Sequence, residues 1–135
     1  MVDLSSNGVE INSLDTFDPS RSHADIVFEN VEARALNNDA WSDIEKLLDQ
    51  SAVLFAFEQV GGAEAAMNQA KDYAMGRYAF GRAIASFQAI KHKVADMYIS
   101  LQLARSNCYY GAWALSNDAP ELPTAAATAR VSATK

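Results

Sequence analysis

The chain has 135 residues, is 50% hydrophobic and 21% charged, and carries a formal net charge of −6. That length admits one domain with a small appendage but not two full domains, and the composition belongs to a folded chain. The acidic balance excludes nonspecific nucleic-acid binding, which needs a basic surface. A single cysteine, Cys108, excludes an internal disulfide and a Cys-rich metal site.

No stretch approaches the ~20 apolar residues of a membrane span. The start, Met1-Val2-Asp3-Leu4, has neither a basic n-region nor an apolar h-region, so a cytoplasmic protein is expected. Charge is uneven. Up to Glu64 there are 13 acidic and 3 basic residues, and from Ala65 onward 4 acidic and 8 basic. The second half can therefore offer local positive charge to an anion, although a solvated face explains the same pattern.

Residues 2 to 36 read as strand and loop. Val2 and Leu4 alternate with polar residues, Ser5-Ser6-Asn7-Gly8 follows, and Val9 and Ile11 alternate again. Asn-Gly between such runs predicts a hairpin, because both residues accept positive φ. A second strand is predicted over 24–31, after the turn Asp18-Pro19-Ser20-Arg21. Strands this few are marginal without a partner surface.

From about Asp39 the pattern becomes helical. Asp39 or Ser42 can cap the helix, with Asp43 and Glu45 in the first turn. No proline interrupts Ile44 to Phe80, and Ser51 to Phe57 is apolar nearly all round, the mark of a buried helix. Gly61-Gly62 is costly in a helix interior and predicts either close approach of another backbone or a break. Gly81 suits the left-handed residue that ends a helix, and Ser86 suits the next cap. Phe87, Ile90, Val94, Met97, Leu101, Ala104 and Cys108 follow at steps of 3 and 4, a heptad seam that Ala112 and Leu115 extend. After the loop over 118–123, Thr124 can cap a third helix. Two long helices cannot bury an all-round apolar segment, so the pattern resembles the front of a larger bundle.

Chemistry-bearing motifs are few. Gly61-Gly62 lacks the third glycine and the preceding strand of a dinucleotide fingerprint. His23 and His92 stand alone, so no metal site is expected, and Cys108 reads as a small core residue. One segment stands apart. Between Arg77 and Gln88, two arginines flank a glycine turn and a helix begins at Ser86 to Gln88. A guanidinium beside helix N–H groups can hold a phosphate; equally, Arg77 can pair with an acid or with the helix C-terminus.

Three runs carry a resemblance. They are Phe57-Glu58-Gln59-Val60-Gly61-Gly62, Tyr73-Ala74-Met75-Gly76-Arg77-Tyr78-Ala79-Phe80-Gly81-Arg82, and Ser86-Phe87-Gln88-Ala89-Ile90-Lys91-His92-Lys93-Val94-Ala95-Asp96-Met97. The continuous pattern R-x-x-F-G-R-x-I-x-S-F-Q-A-x-K-H-x-x-A-D-M resembles the C-terminal helical domain of the acyl-CoA dehydrogenases. Asp18-Pro19-Ser20-Arg21 looks like the family's turn before its last β-domain strand. The resemblance implies a mainly α fold, an antiparallel long-helix bundle left incomplete, with a short N-terminal β segment. Residues 1–38 would be the terminal strands of the β-domain and 39–135 the helical domain.

The resemblance also implies a function. The family uses FAD to dehydrogenate fatty acyl-CoA thioesters, the chemistry of fatty acid β-oxidation, and its helical domain reaches the FAD of a neighbouring subunit. By position, Arg77, Tyr78, Ala79, Phe87 and Gln88 match FAD contacts. Asp49, Gln50, Ser51 and Ala52 match the acyl-CoA pocket, although an arginine common in the family is Ala52 here. Some members place the catalytic glutamate where this chain has Ser51. Others place it beyond residue 135, so no catalytic residue is assigned. The chain is expected to be a fragment, inactive alone and completed by copies of itself or by a complementary subunit. The alternative is a non-catalytic helical module that oligomerises through the Phe87–Leu115 seam.

Overall fold

The computed structural model describes residues 1–36 and 40–134. Two compact units divide the chain, Met1–Trp41 and a helical unit from Ser42 onward.

In the first unit, β1 (Val9–Leu14) pairs antiparallel with β2 (His23–Phe28). The register sets Val9 opposite Phe28 and Ile11 opposite Ile26 on one face. The hairpin expected at Asn7-Gly8 does not form. The Asp3 carboxylate instead accepts the Ser5 amide at 2.9 Å and hydroxyl at 2.7 Å, curling residues 3–8 into a turn. Gly8 stands at φ +93°, and a Cβ there would meet the Glu29 carbonyl oxygen at 2.1 Å. Its own carbonyl accepts the Glu29 amide at 2.8 Å. Three residues around Leu4 offer too short a partner, whereas β2 pairs all six of β1. The connecting loop holds the Asp18-Pro19 turn, its carboxylate accepting the Ser20 amide and hydroxyl. These bonds hold the Asp18 carboxyl below its usual range, and the Ser5 bonds do the same for Asp3.

In the second unit, α1 (Ala40–Gly76) runs 37 residues without a break at Gly61-Gly62. Apart from its own turn of helix, neither glycine has an atom within 4 Å of a would-be Cβ, so among the described residues no other backbone approaches them. Asp43 lies in the first turn; of the two expected caps, Asp39 lies outside the described residues and Ser42 is already inside the helix. A small hairpin, β3 (Tyr78–Ala79) with β4 (Arg82–Ala83), follows. Helix α1 has ended at Gly76, so Gly81 does not end it. Phe80 (φ +53°) and Gly81 (φ +78°) are the central pair of a two-residue turn. Positive φ at both matches the right-handed strand twist.

Nor does Ser86 cap the next helix. Its hydroxyl donates to the Ala83 carbonyl at 2.7 Å, closing a 3₁₀ turn over Ile84–Ser86. Phe87, in extended backbone, precedes α2 (Gln88–Ser116). The third helix, α3 (Leu122–Ala133), begins before Thr124, with Glu121 at its entrance and a proline in the first turn, where no N–H is needed.

The core is built almost wholly of small side chains. Ala56 and Val60 of α1, Leu101, Ala104 and Cys108 of α2, and Ala129 of α3 form one buried patch. Val53, Ala114, Leu122, Ala125 and Ala126 form the next. Small residues let the axes close up; a Cβ on Gly111 would stand 3.1 Å from Val53 Cγ2. The heptad seam is thus core only in part. Leu101, Ala104 and Cys108 are buried, Gly111 and Ala114 continue the buried line, and Met97 is exposed. Within the segment expected to be buried all round, Leu54 and Phe55 are exposed. Polar contacts brace the helices: Arg105 to Glu64 at 2.6 Å, Lys46 to Asp118 at 2.5 Å, and Arg130 to Gln59.

Candidate functional site

The first group of site residues gathers at one end of the helical unit. Arg77 follows α1 directly, its amide bonding the Tyr73 carbonyl at 2.9 Å, and its carbonyl accepts the Ile84 amide at 2.8 Å. That last bond ties the start of the small hairpin to the 3₁₀ turn that leads into α2. The Arg77 side chain is exposed, and its guanidinium has no hydrogen bond or ion pair among the described residues. Pairing with an acid, the alternative reading of this arginine, is not what the chain adopts.

At the start of α2, the Ile90 and Lys91 amides both bond the Phe87 carbonyl. The Gln88 and Ala89 amides ahead of them have no backbone acceptor, as is usual in a first helical turn. No acidic residue occupies that turn. One uncommitted guanidinium and two uncommitted amides at the positive end of a helix dipole fit an anionic diphosphate. Tyr78 and Gln88 are exposed nearby, and Ala79 and Phe87 half-buried.

The second arginine is engaged differently. The Arg82 guanidinium lies 4.0 Å over the centre of the Phe87 ring. Phe80 meets the same ring edge-on, with centroids 6.4 Å apart at 85°. The sequence reading treated the arginines as alike and gave Phe80 no part. The signal for the difference was an arginine directly after the turn with a phenylalanine five residues further on, at the entrance of α2.

The second group lies elsewhere. Asp49, Gln50, Ser51 and Ala52 are half-buried on the first third of α1. The Ser51 hydroxyl donates to the Leu47 carbonyl at 2.7 Å, and Ala52 packs against the Val53–Ala125 patch. Between Ala52 and Gly76 the helix rises about 36 Å at 1.5 Å per residue. The two groups therefore do not converge in one chain.

A cavity of ≈ 810 Å³ forms a groove between α2 and α3 walled by residues such as Leu103, Asn107 and Val131, and includes neither group. Cys108 is buried, and burial pushes its thiol pKa up, away from a reactive thiolate. Among the described residues no three His, Cys, Asp or Glu side chains cluster to hold a metal ion, and no helix is long and apolar enough to cross a membrane.

Comparison with known proteins agrees with this architecture. Residues 38–135 match the family model for the acyl-CoA dehydrogenase C-terminal domain. Acyl-CoA dehydrogenase IpdE2 of Mycobacterium tuberculosis is 38% identical over 122 residues, covering 89% of this chain and 34% of that one. Butyryl-CoA dehydrogenase from Megasphaera elsdenii superposes with a TM-score of 0.83 at 27% identity, over 96% of this chain and 36% of that one. The ChsE4–ChsE5 complex from Mycobacterium tuberculosis superposes with a TM-score of 0.79 at 25% identity, over 97% and 35%. The chain belongs to the acyl-CoA dehydrogenase family, whose members are flavoproteins, and spans about a third of the length of these relatives.

Proposed function

We propose that this chain supplies FAD-contacting and subunit-interface helices to a flavoenzyme that dehydrogenates acyl-CoA thioesters. In this reading 1–38 are the last strands of a β-domain and 39–135 the helical domain. Arg77 meets the FAD diphosphate, the Gln88 and Ala89 amides share its charge, and Tyr78, Ala79 and Phe87 shape the wall beside it. Asp49 to Ala52 line an acyl-CoA pocket. FAD, when bound, accepts the hydride from the acyl β-carbon; the protein orients it and balances its charge. The ~36 Å between the groups suits a homo-oligomer or a complementary subunit, in which one chain serves two flavins. The reading extends to a cytoplasmic enzyme of fatty acid β-oxidation.

The observation that carries this reading is the uncommitted Arg77 guanidinium on a segment whose carbonyl is bonded to the 3₁₀ turn leading into α2, together with the uncommitted first amides of α2. Titration of FAD fluorescence with the 135-residue chain tests it. A charge-assisted hydrogen bond of about 1.5–3 kcal/mol predicts that Arg77→Ala weakens binding about 10- to 100-fold. Equal affinity for both proteins would remove Arg77 from the site.

A second reading rests on a separate observation. Ile99, Leu103, Tyr110 and Trp113 form an apolar line on α2 that stays exposed. An interaction module would use this line, because the buried seam around Leu101 and Cys108 is already occupied by α1 and α3. Leu103→Asp would then abolish self-association seen by sedimentation and leave FAD binding alone.

A further inference from the structure

We propose that Arg82 is a positioning residue: its guanidinium, laid on Phe87, clamps the Phe80-Gly81 turn against the start of α2 and so holds Arg77 and the α2 amides as one anion-binding surface. The ligand part of this inference rests on the FAD reading above; the clamp itself does not.

The argument starts from the backbone. Phe80 stands at φ +53°, a left-handed conformation that a bulky side chain avoids. Such a residue persists when its surroundings over-determine it. Here the surroundings are one ring. Phe87 receives the edge of Phe80 on one contact and the Arg82 cation at 4.0 Å on another. Phe87 is also the residue whose carbonyl accepts the first two bonded amides of α2, those of Ile90 and Lys91. Fixing Phe87 therefore fixes the direction of the Gln88 and Ala89 amides. On the other side of the turn, Tyr78 pairs with Ala83, Ala79 pairs with Arg82, and the Arg77 carbonyl receives the Ile84 amide. The clamp thus reaches Arg77 through two strands of two residues each. So short a hairpin is not stable by itself. A guanidinium stacked on a ring at this distance serves as part of the wall, which leaves Arg77 as the guanidinium that meets a phosphate.

Amide hydrogen exchange of the full chain, without ligand, tests the clamp. An exposed cation–π contact predicts that Arg82→Gln speeds exchange of the Ile84 amide by at least about threefold. Arg82→Lys, which keeps a cation over the ring, restores much of the protection, and the Ala104 amide in the helical core is unchanged in both. Arg77→Ala leaves Ile84 protected. Unchanged Ile84 exchange in Arg82→Gln, or equal loss in Arg82→Lys, would overturn the proposal. FAD titration then reads the ligand part. Arg82→Gln weakens binding but keeps its sensitivity to added salt, whereas Arg77→Ala loses that sensitivity with the charge. Loss of salt sensitivity in Arg82→Gln would make Arg82 a direct ligand and overturn its positioning role. An Ile84 effect in a chain that binds no FAD would sink the FAD reading and leave the clamp standing.

Discussion

The two ends of the helical unit are built on opposite principles. Where α3 packs against α1 and α2, Val53, Ala56, Cys108, Ala114 and Ala126 are at most 1% exposed, and small side chains make most of the contact. At the other end, α1 and α2 are joined by a small hairpin and a 3₁₀ turn; Phe80 in the hairpin turn is 96% exposed, and the Arg77 guanidinium has no hydrogen bond or ion pair among the described residues. The packed end stabilises; the open end presents charge and amides. A chain that kept a strained turn and a free guanidinium at one end can do so because the other end holds the fold.

The largest effect expected from breaking this contrast is at Cys108. Cys108→Asp places an unpaired charge among Ala104, Leu101 and Ala129, at more than about 3 kcal/mol, and thermal unfolding by circular dichroism should show the helical unit lost or strongly destabilised. Gly111→Val comes next. Its Cβ alone would press on Val53 at 3.1 Å, so overpacking of about 1–3 kcal/mol is expected in the same measurement. At the open end, Arg77→Ala should stay within about 0.5 kcal/mol of the parent stability. A melting curve in which Arg77→Ala fell as far as Gly111→Val would erase the distinction between the ends.

The smallest effect is read by pH. Burial raises the Cys108 thiol above its ordinary 9.0. The folded state therefore binds that proton more tightly than the unfolded one. The stability tied to it is complete below pH 9 and declines as pH rises through the folded value. Alkylation at pH 9 should accordingly be slow in the native chain and fast after denaturation.

Much of this was legible in the sequence because helices announce themselves by period. The 3–4 spacing placed Leu101, Ala104 and Cys108 in the core, and the run around Arg77 marked the segment to which the proposed FAD contact is assigned. Boundaries were harder. Gly81, Ser86 and Thr124 each have the right chemistry for a helix end, but each was outcompeted. The turn at Phe80 required Gly81, the Ala83 carbonyl took the Ser86 hydroxyl, and Pro123 opened α3 a turn earlier than a threonine cap would. Asn7-Gly8 failed for a different reason. A local turn signal says nothing about which strand is long enough to pair, and that is settled six residues at a time by β2. The stacking of Arg82 on Phe87 was illegible because the 3₁₀ turn over Ile84–Ser86 that brings the two together carries no periodic signal in the sequence.

The measurement that bears most directly on the division between a packed end and an open, anion-binding end is a residue-by-residue NMR map of the chain titrated with FAD. Amide shifts confined to residues 77–79 and 87–89, with the Ala104 and Cys108 amides unmoved, are the predicted result. Shifts centred on the α2–α3 groove or on 49–52, or no shifts at any FAD concentration, would contradict it.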